Sequence, residues 1–559
     1  MKFRKTTKQT KKRTTIRATM QTALAVTLVA GIMADGNITW GGNNVVPNAF
    51  AAYLLTVNAA ENGQNQSVIT PESITDSATN IEHQNYRLGS WYFAWNAACP
   101  VQSYLTVTKE GKLMRFEPDS SGGYIATYYT DNGGSYQFVD SVSIPAELTL
   151  FGGFYAGEDG YYVITGQENP EESAEVECIR ITKYDKSWKR VSSAGLYDCN
   201  TVEPFDFGSL RVAEYGDYLV IRSSHKMYQS SDGLNHQSNI TIQYSKSQSK
   251  ITDSYYQVMN KSFGYVSHSF NQFVKIEDGK MVAVDHGDAY PRSIVLIQYP
   301  TDISSGSFVP QGWNNLCTAT DVMTFGGNTG ANYTGASVGG FEYSGTSYLI
   351  AGAAEENVGT GTSNNNSERN VFLSVVSKED NSVQTKYLTD FTGKGMTANT
   401  PQLVKVNDNK FLLLWTERSL SNGRISYEGE VHYAAFDGRG KQISDEKTAP
   451  GYLSDCQPII KDGQVLWYVW SNKRTVFYSI NPDTMELKES LLRQKGDTNG
   501  DGTVDIADAL IVSRFDARLV ELSDAEKAVS DVNGDGEVDV ADALVISRFD
   551  AGIIDKIAQ

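Results

Sequence analysis

Glu158-Asp-Gly-Tyr-Tyr-Val-Ile-Thr165 decides the fold. A tight turn ending in Gly160 runs without a spacer into a strongly apolar strand. The same pattern stands at residues 109–116 around Gly111, 214–221 around Gly216 and 277–284 around Gly279. It returns at residues 343–351 around Gly345, 407–415 around Asn409 and 461–469 around Gly463. The spacings between anchors are 49, 56, 63, 66, 64 and 54 residues, a near-regular period that marks a repeat architecture. Asn409 fits among the glycines because Asn tolerates the left-handed backbone that such turns favour.

After each anchor strand comes a polar stretch and then an alternating strand, as at residues 179–185, 239–244, 293–299, 371–378 and 476–481. A weaker strand follows, as at residues 189–194. Four antiparallel strands repeated seven times over residues 90–492 are the sequence form of a seven-bladed β-propeller. Radial repetition hides sheet edges that would otherwise pair with other chains. A six-bladed ring with one degenerate unit and a stack of β-sandwiches are the alternatives; sandwiches predict irregular spacing.

Composition agrees with a mainly β chain. Its 559 residues exceed one ordinary domain, and 49 Gly with 31 Tyr favour short strands joined by turns. The formal net charge of −18 argues against nucleic acid as a partner, since phosphate neutralisation needs a basic face. The five cysteines (Cys99, Cys178, Cys199, Cys317, Cys456) contain no CxxC pair, which disfavours a structural zinc site. Cys178 and Cys199 flank a hairpin and could bridge.

Eight Lys and Arg within residues 1–17 precede the apolar run Ala23 to Ala34. Twelve apolar residues suit a signal-peptide core better than a bilayer span. Ala49-Phe-Ala51 supplies a small-x-small cleavage pattern, with cleavage near Ala34 or an uncleaved anchor as alternatives. We expect a signal peptide over 1–51, an N-terminal segment over 52–89, a secreted, extracellular protein, and no membrane association after cleavage.

By propeller geometry the anchor turns share one face, and the other face carries the remaining loops, where binding residues are expected. Those loops are read at residues 165–177, 223–239, 285–292, 353–370 and 416–430. His225, His236, His268 and His286 fall in one window on that face, and Asp285-His-Gly-Asp-Ala-Tyr-Pro-Arg292 concentrates charge there. Glu355, Glu356, Glu417 and Arg418 add to it. Asp285, His286, Asp288 and His268 are the catalytic candidates, as proton-transfer groups acting on a sugar. A metal site drawn from His225, His268, Asp285, His286 and Asp288 is a second reading. Loop residues satisfying backbone polar groups are a third. Trp91, Trp95, Trp313, Trp415, Trp467 and Trp470 include candidate sugar platforms; Trp313 and Tyr290 are the better ones, because Trp415 and Trp467 sit in anchor strands.

Two near-copies lie 34 residues apart at the C-terminus, where 15 Asp/Glu face 6 Lys/Arg from Lys495 onward. The first offers Asp497, Asn499, Asp501, the Thr503 carbonyl, Asp505 and Asp508; the second offers Asp531, Asn533, Asp535, the Glu537 carbonyl, Asp539 and Asp542. Hard oxygen donors at loop positions 1, 3, 5, 7, 9 and 12, with Gly at 6, are calcium chemistry, so two ions are expected. Each loop continues into a helix-like run, residues 507–517 and 541–551, yet no amphipathic helix precedes Asp497 and position 12 is Asp rather than Glu.

This pattern over residues 495–559 resembles a type I dockerin. Together with the repeats before it, the expected fold is mainly β, a seven-bladed β-propeller followed by the small α-helical calcium-binding dockerin that the resemblance implies. It implies a scaffoldin cohesin module as partner, with Ile506, Ala507, Ser513, Arg514 and Arg518 in contact, and Val540, Ala541, Ser547, Arg548 and Gly552 as second-unit equivalents. It further implies attachment to a cellulosome, with the propeller binding plant cell-wall polysaccharide or acting on it as a glycoside hydrolase or polysaccharide lyase. Ile-Ala and Val-Ala stand where many clostridial dockerins carry Ser-Thr, which suggests a more apolar contact. Near-identity of the two units suggests docking in two orientations.

Overall fold

The computed structural model describes residues 98–557 except 99, 120–121, 132–135, 311–312, 314, 330–332, 357, 359–366, 399–400, 423, 472–473, 492–494, 500–503, 523 and 555–556. The expected signal peptide, the segment 52–89, Trp91, Trp95 and Cys99 lie outside the described residues, as do Asp501 and Thr503. No helix among the described residues is long and apolar enough to cross a membrane.

The chain from Tyr104 to Leu491 forms a propeller of antiparallel four-stranded units. The units span residues 104–144, 150–196, 211–255, 273–324, 336–387, 402–450 and 459–491. Five of them stand as separate sheets, not the seven expected. The third and fourth share one ten-stranded sheet, because the short strand Ser267–Ser269 pairs with both: Ser267 lies opposite Ser238 on one side and Tyr290 on the other. The ring closes where the first unit meets the seventh. Tyr129 and Tyr136 place their rings 5.2 and 4.5 Å from Phe477, and Lys461 Nζ lies 2.5 Å from Asp131 Oδ2.

Every anchor joins the first strand of its unit to the second. Gly111, Gly216, Gly279 and Gly463 are left-handed, with φ of 81, 56, 77 and 74°. Asn409 is not, against expectation; its N–H instead donates to Asn407 Oδ1 at 2.9 Å, and this side-chain turn replaces the left-handed one. Gly160 is required for a different reason: a Cβ there would sit 2.5 Å from the Tyr184 carbonyl oxygen.

The loops read at 223–239, 285–292 and 416–430 are mostly strand. They belong to long hairpins, Tyr218–Gln229 with Asn235–Ser245, Lys280–Tyr290 with Ser293–Asp302, and Lys410–Ser421 with Arg424–Phe436. Their polar side chains read as loop, but hydrogen bonds satisfy many of them inside the sheet, so burial does not break the ladder. Cys178 and Cys199 are free thiols in one buried cluster.

Beyond the propeller lie α1 (Ile506–Asp516), α2 (Asp524–Ser530) and α3 (Val540–Asp550). Val504, Ala509, Val512, Val532, Ala543 and Ile546 form their own small core.

Candidate functional site

The fused sheet of the third and fourth units divides the four catalytic candidates into two kinds. Asp285 is fully buried; Arg222 donates to its Oδ2 from Nε at 2.9 Å and from Nη2 at 2.5 Å, and Ser269 Oγ donates to Oδ1 at 2.8 Å. Arg222 also reaches Thr241 Oγ1 at 2.7 Å and the Tyr299 hydroxyl at 3.1 Å. A charge so enclosed ties strands together and has no path to a substrate. His286 is also fully buried, set edge-on to Phe270 and Phe325, with Nε2 2.8 Å from Thr334 Oγ1. Burial, helped by Arg369 and Arg292, pushes its pKa down to about 3. His225 is the same kind of residue, between Thr201 Oγ1 at 2.7 Å and Ser238 Oγ at 3.1 Å, and burial takes it down to about 3. These residues lie in strands rather than loops, and their partners are side chains of neighbouring strands and connections.

Asp288 and His268 differ. Asp288 is fully buried, and its Oδ1 lies 2.9 Å from Nδ1 of His268, whose side chain keeps 24% of its surface open. A carboxylate only accepts, so Nδ1 is the donor, and Nε2 of the neutral ring keeps its lone pair. Asp288 Oδ2 is buried with no hydrogen-bond partner among the described residues. His268 has φ of 50°, a strained value for a non-glycine residue. The His236 ring lies 6.2 Å away, near-parallel to it. Arg292 braces the turn by donating to the carbonyls of Asp288, Gly326 and Tyr333, each at 2.6 Å. A partly open imidazole beside a buried carboxylate is an arrangement that can accept or pass on a proton.

The other candidates scatter. Glu417 accepts from Trp415 Nε1 at 3.0 Å, and Glu417, His432 and Glu446 gather their ligand atoms in the sixth unit, away from the His268 strand. Glu355 accepts from the Tyr333 hydroxyl. Trp415 and Trp467 are buried packing residues, as expected. Trp313 is 72% exposed, but it lies in the connection between third and fourth strands, on the anchor side. Tyr290 ends a second strand on the opposite face. The two rings therefore cannot form one platform.

At the C-terminus the second loop is drawn up around its own carboxylates. Asp531 accepts from the N–H groups of Gly534 and Gly536 at 2.8 and 3.1 Å, Asn533 from Asp535 at 2.8 Å, and Asp535 from Glu537 at 2.9 Å. The buried Asp542 accepts from Val532 and Asn533 on Oδ1 and from Asp539 on Oδ2. Asp539 also caps α3, accepting from the Ala541 N–H at 2.7 Å. In the first loop Asp508 likewise accepts from the N–H groups of Asn499 and Asp505, and Asp505 caps α1. These hard oxygens on one curled loop fit calcium.

Of the contact residues implied by the resemblance, Ile506 and Val540 are each 61% exposed. Ser513 and Ser547 turn their hydroxyls onto the Ala509 and Ala543 carbonyls at 2.8 Å. Sequence reasoning missed Leu510, Leu544, Leu519 and Ile553, all exposed. Their signal was available: each apolar position in the first unit recurs 34 residues on.

No curated protein matches the chain. Among solved structures, it is similar to an ulvan lyase of a polysaccharide lyase family, at 8% identity and a TM-score of 0.42, over 71% of this chain and 93% of that one. It is also similar to a Synechocystis apocarotenoid oxygenase, at 9% identity and a TM-score of 0.36, over 71% and 91%. Residues 495–549 match the dockerin type I domain. The C-terminal module of this β-propeller chain is a dockerin type I domain.

Proposed function

We propose that this is a secreted cellulosome component: its dockerin, loaded with two calcium ions, docks on a scaffoldin cohesin, and its propeller cleaves plant cell-wall polysaccharide. The docking half rests on one observation, the dockerin at 495–549 with its paired loops. Bound calcium would supply the central charge against which loop carboxylates collect, holding the start of each helix. Asp497, Asn499, Asp501, Thr503, Asp505 and Asp508 would hold one ion, and Asp531, Asn533, Asp535, Glu537, Asp539 and Asp542 the other.

The chemical half rests on the His268–Asp288 pair. Asp288 holds the ring through Nδ1–H, which leaves Nε2 as the nitrogen to serve as base. A second reading, glycan binding without chemistry, is favoured by the exposed Tyr290 at the tip of the same hairpin. The calcium-loaded protein should release new chain ends from one of xylan, mannan, pectin or cellulose, and His268→Ala should abolish this while cohesin capture persists. Retention of a polysaccharide without released ends would establish the binding reading instead.

A further inference from the structure

We propose that Asp206 is the proton donor that faces the His268 base, an assignment that rests on the catalytic reading of His268. Asp206 lies in the segment Glu203-Pro-Phe-Asp-Phe-Gly208, just beyond the short strand Glu203–Pro204. That strand adds to the seam: Glu203 pairs with Lys226, and Lys226 pairs in turn with Gln237. Gln237 Nε2 then joins two backbones, donating to the Asp206 carbonyl at 2.9 Å and to the Ser269 carbonyl at 2.5 Å. Ser269 directly follows His268, and His236, whose ring lies beside His268, directly precedes Gln237. One amide side chain therefore sets the Asp206 backbone beside the His268 strand.

The backbone around Asp206 is strained on both sides. Phe205 has φ of 64° and Phe207 of 46°, a conformation that bulky residues rarely adopt. The segment is clamped in it: Phe205 N–H donates to the Ser224 carbonyl at 2.8 Å, and Ser224 Oγ donates to the Asp206 carbonyl at 2.7 Å. Gly208 presses so close that a Cβ would lie 1.8 Å from Ser224 Oγ. His268, one residue before the Ser269 carbonyl that shares the Gln237 amide with Asp206, is left-handed as well. Such strain persists where the surrounding structure over-determines it, and it clusters at functional sites. Burial, with the like charge of Glu203 opposed by Lys226, raises the Asp206 pKa to about 8, so it holds a proton at neutral pH. Glu203 is itself raised by burial, with Lys226 opposing and Glu168 adding to the rise.

The step balances without a further reagent. When the glycosidic C–O bond breaks, its electron pair leaves with the oxygen, which takes the Asp206 proton. In hydrolysis, water adds its oxygen to the carbon and gives its proton to His268 Nε2. In elimination, His268 takes the neighbouring C–H proton and that electron pair becomes the new C=C bond. Exchange with solvent returns the proton to Asp206.

Two measurements separate this assignment from the reading it rests on. Carbon-13 titration of aspartate-labelled full-length protein, with Asp206→Asn for assignment, should show one carboxyl still protonated at pH 7. Glu203→Gln should keep the fold and lower that midpoint, because a like charge is gone; it assigns the signal even if Asp206→Asn fails to fold. Where released ends are found, Asp206→Asn should lower the rate about 100-fold or more and remove the alkaline limb of the pH profile. Glu203→Gln should shift that limb to lower pH. A carboxyl titrating in the ordinary carboxylate range, or an Asp206→Asn variant with wild-type rate while His268→Ala is inactive, overturns the assignment. Absence of released ends from every glycan overturns the catalytic reading and the donor role with it, whatever the titration gives.

Discussion

Single residues in the fused sheet sit in opposite surroundings despite adjacent positions. Asp285 balances Arg222 where neither side chain meets solvent. Asp285→Ala leaves a buried guanidinium without its counter-charge, so it should cost about 3–5 kcal/mol in urea unfolding. His268→Ala, at a partly open position, should cost far less. The buried imidazoles predict a pH dependence of definite sign. His225 and His286 stay neutral in the folded chain down to about 3, whereas the unfolded chain protonates them near the ordinary value. Stability from this source is therefore complete above about pH 7 and falls as pH drops from about 6.5 toward 3, by about 1.4 kcal/mol per pH unit for each ring. His286→Asn should remove one proton from that slope, read by unfolding at pH 4, 5 and 6. None of this division was legible in Asp285-His-Gly-Asp288. Arg222 lies 63 residues from Asp285, and Thr334 lies 48 from His286; no window of sequence displays partners so distant. His268 was legible as a histidine on the right face, but its carboxylate partner was one of several acids nearby.

Elements were read well where a short-range signal existed and poorly where burial of polar groups mimicked a loop. All seven anchor turns fall between first and second strands because an apolar run after a turn residue has few other solutions. Ser223-Ser-His-Lys226 has the composition of a loop and the hydrogen bonding of a central strand, with Ser238 and Thr201 satisfying His225. Asp206 was missed for a related reason: nothing in Phe-Asp-Phe announces that both rings sit on left-handed backbone. In the dockerin, repetition made the two loops and the helices after them readable. There the helices depend on the loops, since Asp505 and Asp539 are at once loop carboxylates and helix caps, and Asp508 and Asp542 close the capping boxes. Without calcium, the half-buried Asp505 and Asp539 repel the buried Asp508 and Asp542 with no central cation. Chelation should therefore melt α1 and α3, seen as a loss of helical circular dichroism and of cohesin capture, while the β signal of the propeller stays.

At the scale of the whole molecule, two kinds of repetition meet, and they differ in what one copy can do alone. The propeller needs all its units. Its first and seventh are joined across some 350 residues of sequence by the Tyr468 hydroxyl to Glu117 at 3.1 Å, and the segments leading into them by Gln102 N–H to Asp455 Oδ2 at 2.8 Å. The dockerin carries two exposed faces of nearly the same chemistry, since Ile506, Leu510 and Leu519 recur as Val540, Leu544 and Ile553. If either face can seat a cohesin, the module has two docking modes of similar energy, related by its internal repeat. Removing one mode of two then costs only RT ln 2, about 0.4 kcal/mol, or a doubling of Kd. Ser513→Asp with Arg514→Asp should thus leave cohesin affinity within about two-fold of wild type, and Ser547→Asp with Arg548→Asp should do the same. The four changes together should abolish capture, because no intact face remains. Calorimetric titration of each variant against the cohesin decides it: a single-unit variant that alone loses binding means one face does all the docking.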